Sequence, residues 1–431
     1  MILRVIKPRQ FDSVVQLPAS KSISNRALVM NELSAGASQM LTNLSDCDDT
    51  RAMEGALQLL SAERLTAPAA DGSPAVINVG AAGTAMRFLT ALLALAPGKH
   101  RLEGSERIHH RPIGVLVEAL RALGAEIGYE GQPGFPPLCI CGNRLRGGSL
   151  ELAGDVSSQF ISALLMIGPK LEEGLTLTLT GEIVSRPYID MTLRMMRDYG
   201  AVAQWTGQRQ ITVEPKGYVP TAYRVEADWS AASYWYEMLL LWDGDDGVVT
   251  LQGLEEDSMQ GDSAVKEMFA RLSLQTEFYR QGEVSGVRLT RQGSVPESFE
   301  WDFTGTPDLA QTLVVACAMR GIAFRFTGLQ SLRIKETDRI AALQAELAKL
   351  GVRVGVEGDS VMFWDGPQGQ PEGDIGYLEP LAGTAIDTYE DHRMAMAFAP
   401  AAFVLGHIDI RNPEVVTKSY PGFWKQVASD N

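Results

Sequence analysis

The 431 residues predict an α/β protein in which one helix-and-strand unit is used six times. Two observations carry that reading. Six polar or glycine-bearing caps open directly into apolar helix-like runs, starting at 21, 83, 157, 230, 308 and 392, and the intervals of 62 to 84 residues are too even for accident. A second series of helical runs lies between them, and its clearest copies stop at a glycine and lead into alternating, strand-like sequence.

Taken in chain order, the first cap is Lys21-Ser22-Ile23-Ser24-Asn25-Arg26, followed by a loose second-series helix over Met53 to Leu60. Gly83-Thr84-Ala85-Met86-Arg87 opens the next apolar run, and Val115 to Leu123 ends at Gly124. Ser157-Ser158-Gln159 begins the third, with Met191 to Tyr199 stopping at Gly200. The fourth starts at Ser230-Ala231-Ala232-Ser233, followed by a loose helix over Ala264 to Leu272. Asp308-Leu309-Ala310-Gln311 starts the fifth, and Ala341 to Leu350 ends at Gly351 before a strand-like Gly351-Val352-Arg353-Val354. His392-Arg393-Met394 opens the sixth. In the Ala341 to Leu350 region Ile340, Leu343, Leu347 and Leu350 form one apolar stripe, with Glu346 and Lys349 expected to point away from it. The second series should therefore be amphipathic and lie at the surface, whereas the first, apolar nearly all round, should be buried.

Helix starts expose unpaired N–H groups and the positive end of the macrodipole. Five of the six caps also carry side chains suited to an anion, so helices converging by these ends would make a concentrated anion site.

A chain this long exceeds the size of one growing core, so about two domains are expected, three units in each. With 45% hydrophobic and 21% charged residues the composition is that of a soluble globular protein. No uncharged apolar stretch approaches a membrane span and no signal core follows Met1, so no membrane partner and a cytoplasmic location are the expectation. The net charge of −15 argues against a nucleic-acid footprint. Cys47, Cys139, Cys141 and Cys317 are too few and scattered for a disulfide framework, and Cys139 with Cys141 lack the second pair a zinc site needs. No metal and no cofactor are expected.

Several ordered motifs are specific as a set. Leu17-Pro18-Ala19-Ser20-Lys21-Ser22-Ile23-Ser24-Asn25-Arg26, Gly83-Thr84-Ala85-Met86-Arg87, Arg111-Pro112, Ser157-Ser158-Gln159 and Ser185-Arg186-Pro187-Tyr188 are followed by Arg333-Ile334-Lys335-Glu336-Thr337-Asp338-Arg339 and Asp391-His392-Arg393-Met394-Ala395. Together they resemble the signature segments of the 3-phosphoshikimate 1-carboxyvinyltransferase family, from Leu17 to about Trp424. The resemblance implies a two-domain inverted α/β architecture of six βαβαββ repeats, three per domain, with substrates in a cleft between the domains. The domains implied are 21–227, and 1–20 together with 228–431.

It also implies transfer of the enolpyruvyl group of phosphoenolpyruvate to the 5-hydroxyl of shikimate 3-phosphate, with release of phosphate. Such chemistry needs several cations, an acid for the methylene carbon and a base for the hydroxyl. By resemblance the shikimate 3-phosphate residues are Lys21, Ser22, Arg26, Ser157, Ser158, Gln159, Ser185, Tyr188, Asp308 and Lys335. Those for phosphoenolpyruvate are Lys21, Gly83, Arg111, Gln159, Arg339, Arg393 and Lys418. Asp308 is implied as the group receiving the hydroxyl proton, Glu336 as the donor to the methylene carbon, and Lys21 as the aid to phosphate departure. The charge pattern agrees in kind, since arginine forks suit carboxylate and phosphate and consecutive serines at a helix start suit phosphate.

Three positions depart from the family pattern. Ala81 stands where an asparagine is usual, Phe88 where a proline is frequent, and Ser331 where an asparagine is common. These bear on affinity and on sensitivity to a competitor such as glyphosate. The sister enzyme acting on UDP-N-acetylglucosamine carries a loop cysteine that Arg107 to Leu116 lacks, and a non-catalytic phosphometabolite-binding relative would be expected to have lost Asp308 or Glu336. The repeats need no partner to close their cores, so a monomer is expected.

Overall fold

A computed structural model describes the chain except for residues 36–39, 66–72, 245, 283, 368–374, 382 and 429–431, and the side chains of 62–65. It divides into two compact units, Met1–Ala19 with Glu226–Asn431, and Ser20–Val225.

In the Ser20–Val225 unit one repeat runs strand Ala75–Asn78, helix Gly83–Leu95, strand Gly98–Glu103, helix Gly114–Ala122, then strands Glu126–Tyr129 and Leu138–Gly142. The first two strands pair in parallel across the first helix, and the remaining pairings are antiparallel. A second copy uses strands Gly148–Ala153, Leu175–Thr180, Ala203–Trp205 and Gln210–Val213 with helices Ser158–Ile167 and Arg186–Asp198, in the same pairing order. The third is reduced to the parallel pair Leu41–Thr42 and Tyr223–Arg224 with helices Lys21–Leu33 and Asp48–Leu65.

The other unit repeats the plan. Asp12–Gln16 pairs in parallel with Val248–Gln252, which leads to Val284–Arg291 and Leu274–Gln281. Ser298–Asp302 pairs in parallel with Ala323–Thr327, and Val361–Trp364 and Gly355–Glu357 complete that sheet. Ala385–Ile386 pairs in parallel with His407–Arg411, whose far side takes Ile2–Ile6. The first residues of the chain thus complete sheets made by its last two hundred or so. This is the inverted α/β plan of six βαβαββ-type repeats, four of them with four-stranded sheets and two reduced to three and two strands among the described residues.

The contrast between helix series follows the apolar patterning. Gly83–Leu95 is buried at every position but Leu95, and Ala310–Arg320 at every position but Arg320. Each buried leucine contributes about 1.5–3 kcal/mol, so such helices form the centre of their units. The amphipathic series ends as its glycines dictate. Gly124, Gly200 and Gly351 take φ of 103°, 80° and 92°, a left-handed region that costs glycine nothing. After each, the next N–H reaches back to the carbonyl at the third residue from the helix end: Ala125 to Leu120, Ala201 to Met196 and Val352 to Leu347.

That last bond corrects the strand expected over Gly351 to Val354. The backbone there closes the preceding helix, and the strand begins at Gly355. Glu346 is a second correction. It is fully buried, and its carboxylate accepts from Lys349 Nζ at 2.6 Å, Tyr389 Oη at 2.6 Å and the Asp387 N–H at 3.0 Å. The 387–389 segment covers the side of the helix that the apolar stripe leaves polar.

Candidate active site

In the unit containing Glu226–Asn431 the starts of three buried helices converge. Asp228 caps Trp229–Leu241 by accepting from the Ala231 N–H, and Asp391 caps His392–Phe398 by accepting from the Arg393 N–H. Asp308 lies in the short Pro307–Leu309 turn that leads into Ala310–Arg320. Side-chain bonds join all three: Arg393 Nη2 reaches Asp308 Oδ2 at 3.0 Å and Ser230 Oγ at 3.5 Å, while Ser233 and Thr312 hydroxyls lie 3.0 Å apart. The positive helix ends therefore meet at a set of charged side chains.

Arg339 organises that set. It is 1% exposed, and it donates from Nε to Asp391 Oδ2 at 2.7 Å, from Nη1 to Asp308 Oδ1 at 3.0 Å and from Nη2 to Glu336 Oε2 at 3.0 Å. Burial opposes its charge, yet the carboxylates of Asp391, Glu336 and Asp308 outweigh that and hold its pKa above the ordinary arginine value. Lys335 Nζ stands 3.4 Å from Asp308, and burial of the amine lowers its pKa against the opposing pull of that carboxylate. Lys418 Nζ lies 3.0 Å from Glu336 Oε1. Asp308, the 335–339 segment with Lys335, Glu336 and Arg339, Arg393 and Lys418, singled out at four separate places in the sequence, thus form one network.

The Ser20–Val225 unit gathers a second group. Ser157 caps Ser158–Ile167, accepting from the Gln159 N–H, and Gln159 Nε2 donates to Thr84 Oγ1 at 3.3 Å. Gly83, at the start of its helix, has Arg111 and Arg87 beside it: a Cβ there would stand 2.5 Å from Arg111 Nη1 and 2.7 Å from Arg87 Nη1. Glycine is what admits both guanidinium groups. Ser185 precedes Arg186–Asp198 with a left-handed φ of 57°, unusual for serine, and the Tyr188 N–H bonds back to its carbonyl. Lys21 begins its helix with Nζ 4.0 Å from Asp49.

Arg26 is 2% exposed, and its donors go to Thr192 Oγ1 at 2.7 Å, Ser162 Oγ at 2.9 Å and the Ser22 carbonyl at 3.0 Å. Its guanidinium also lies 5.3 Å from the Phe88 ring centroid. Burial lowers its pKa to about 10, against the pull of Tyr188. It ties three helices together and fixes the backbone carbonyl of Ser22.

Sequence reasoning passed over Asp391, Arg87 and Asp262. Asp391 stood within a quoted motif, and an aspartate directly before a buried helix is a recognisable cap. Arg87 is 7% exposed, stacked 5.4 Å from the Phe160 centroid, and donates to the Gly83 carbonyl at 2.9 Å. An arginine in an otherwise apolar helix was its signal. Phe88, the sixth residue of its helix, is 1% exposed and lies well beyond the first turn. Ala81 is exposed just ahead of the N-cap Ala82. Among the described residues no helix is long and apolar enough to cross a membrane, and no cluster of three or more His, Cys, Asp or Glu is arranged to hold a metal ion.

Comparison with known proteins bears on this geometry. The family model described as EPSP synthase (3-phosphoshikimate 1-carboxyvinyltransferase) matches residues 5–427. A relative named 3-phosphoshikimate 1-carboxyvinyltransferase from Bacteroides fragilis strain YCH46 is 51% identical over 420 residues, 97% of this chain and 95% of its own. One of the same name from Bordetella petrii is 39% identical over 436 residues, covering 97% and 94%. Among solved structures, an EPSP synthase from Acinetobacter baumannii superposes with a TM-score of 0.77 at 23% identity, covering 100% of this chain and 98% of that one, which speaks to the fold. A family match across nearly the whole length, together with relatives this similar, means that the chain belongs to the EPSP synthase (3-phosphoshikimate 1-carboxyvinyltransferase) family.

Proposed function

We propose that the chain transfers the enolpyruvyl group of phosphoenolpyruvate to the 5-hydroxyl of shikimate 3-phosphate, giving 5-enolpyruvylshikimate 3-phosphate and phosphate in the shikimate pathway. The observation that carries the residue assignment is that Arg339 bridges Asp308 and Glu336, a base and an acid held by one buried guanidinium.

In this reading Asp308 takes the 5-hydroxyl proton while that oxygen bonds to C2 of phosphoenolpyruvate, and Glu336 protonates the methylene carbon. A tetrahedral intermediate results. Its C2–O bond to phosphate then breaks, aided by Lys21, the hydroxyl proton held by Asp308 leaves with the phosphate, and the new methyl returns a proton to Glu336 to restore the double bond. Lys418, 3.0 Å from Glu336, is placed to stabilise the carboxylate between these two transfers.

Ser157, Ser158, Gln159 and Ser185, with Ser22, Tyr188 and Lys335, are assigned to shikimate 3-phosphate. The first two lie at a helix start whose N–H groups suit a phosphate. Arg26 is assigned to the same ligand through its hold on Ser22. Arg111, beside Gly83, joins Arg339, Arg393 and Lys418 for phosphoenolpyruvate. The catalytic domains are taken as 21–227, and 1–20 with 228–431. The reading needs no cofactor, metal or nucleic acid, and describes a monomer working in the cytoplasm.

Phosphate release on mixing the protein with both substrates tests it. Release with UDP-N-acetylglucosamine as acceptor, and none with shikimate 3-phosphate, would overturn it.

A further inference from the structure

Asp262 is a buried carboxylate that the mechanism above does not use. It lies in the short Gly261–Ala264 turn, is 3% exposed, and accepts a hydrogen bond from Ser230 Oγ. Its place is set by the loop before it. Gln260 Nε2 donates to Glu226 Oε1 and to the Ala227 carbonyl, both at 2.7 Å, and its Oε1 accepts from the Trp229 N–H at 3.2 Å. Ser258 Oγ donates to the same Glu226 oxygen at 2.6 Å and accepts from the Gln260 N–H at 3.0 Å. The loop is thereby fastened to the start of the Trp229–Leu241 helix, and Asp262 is brought against Ser230.

Ser230 connects onward. Arg393 Nη2 donates to Ser230 Oγ at 3.5 Å and to Asp308 Oδ2 at 3.0 Å, so one guanidinium nitrogen serves both. Because the Ser230 hydroxyl gives its proton to Asp262, it presents a lone pair to Arg393 and does not compete for Asp308. We propose that Asp262 is a positioning residue for Asp308, holding Ser230 and Arg393 so that Asp308 meets the acceptor hydroxyl as a well-oriented carboxylate. This rests on the reading of Asp308 as the base.

The charges around the pair are consistent with that role. Asp228 at the helix start and Asp308 face Asp262 as like charges, and Arg393 from the His392–Phe398 helix is the facing cation. On the following helix Lys266 lies against the Trp229 and Phe278 rings. Asp308 itself faces Lys335, Arg339 and Arg393. Burial first, and then Asp308, push the Asp262 carboxyl up to about 6, so near neutral pH it is chiefly ionised and acts on Asp308 as a negative neighbour.

The sign is testable. The acid limb of kcat/KM reports the carboxylates that must stay ionised for turnover, and Asp262, pushed up to about 6, falls within it. Asp262→Asn keeps the shape and the acceptor for Ser230 but removes the carboxyl pushed up to about 6, so the fall in kcat/KM expected of the parent between about pH 7 and 5 should be lost, with kcat on the plateau reduced several-fold. Asp262→Glu should bring that fall back. A purely structural role would lower activity equally at every pH, and a folded Asp262→Asn protein that keeps the parent's pH profile would overturn the proposal.

If that variant does not fold, carboxyl ¹³C titration of the parent protein serves instead. Asp262 and Asp308 should each display two inflections, as coupled groups do, whereas independent single inflections would overturn the coupling. The titration needs no turnover, so a failure of the assigned reaction and a failure of this inference are told apart.

Discussion

Gly83→Ala is the sharpest structural test of the phosphoenolpyruvate assignment. The added Cβ would meet Arg111 Nη1 at 2.5 Å and Arg87 Nη1 at 2.7 Å, where ordinary contact begins near 3.4 Å. The guanidinium groups must then retreat by up to about 1 Å, a displacement able to cost about a hundredfold in a positioned site. Both clashing atoms are the far ends of long side chains rather than backbone, so the fold has room to adjust. Replacing a helical glycine by alanine also contributes roughly 0.5–1 kcal/mol of stability, which offsets part of any strain. Moving Arg111 out of reach removes a charge-assisted hydrogen bond worth about 1.5–3 kcal/mol, which is roughly ten- to hundredfold in affinity. The expected outcome is a KM for phosphoenolpyruvate raised by about that factor, with the KM for shikimate 3-phosphate and the melting temperature near the parent values. Phosphate release with each substrate varied in turn, beside a thermal melt, measures all three. An unchanged KM for phosphoenolpyruvate would refute the role of Arg111 beside Gly83, and a parallel rise in both KM values would show general distortion instead.

Lys21→Ala and Asp308→Ala should each lower kcat by about a hundredfold or more with the fold retained, as loss of a proton acceptor or of charge at the leaving group requires; near-parent turnover in either would remove that residue from the mechanism. Phe88→Pro should destabilise by about 3 kcal/mol, because position 88 is inside the helix and proline removes a backbone bond there, while Ala81→Asn alone should tighten glyphosate by up to about tenfold through one added hydrogen bond. A denaturant midpoint for the first and an inhibition constant for the second decide these; an unshifted midpoint, or an inhibition constant no tighter than the parent's, would count against each. Glu237 is fully buried, neither of its oxygens has a hydrogen-bond partner among the described residues, and burial pushes its carboxyl well above the usual range. Such a group stabilises the fold in its protonated form, fully below the ordinary glutamate value of about 4.3, and that contribution is lost as pH rises toward the folded value. Glu237→Gln should consequently gain stability over the parent by a margin that grows above pH ~5, and parallel pH–stability curves would rule this out.

The architecture was legible because its signals are local. Helical periodicity, an aspartate or serine ahead of an apolar run, and a glycine at the end are each encoded within a few residues, and repetition at regular intervals multiplied them. The glycine stops were read correctly at Gly124, Gly200 and Gly351 because a left-handed residue there is a steric requirement of the turn itself. Glu346 was misread for the complementary reason: helical spacing says which side of a helix is polar, but not that Asp387 and Tyr389 cover that side.

By itself the sequence determined the six-fold repeat, the buried and amphipathic helix series and the inventory of cations and carboxylates suited to anionic substrates. The tertiary structure alone decided the pairing within that inventory. Arg339 meets Asp391 across 52 positions, Arg393 meets Asp308 across 85 and Ser230 across 163, and Arg26 is buried by Ser162 and Thr192 rather than lying open. Charge attraction carries no sequence address. Which carboxylate neutralises which guanidinium is set by the packing of whole repeats that brings three helix starts together, and that packing is a property of the assembled core rather than of any short stretch of chain.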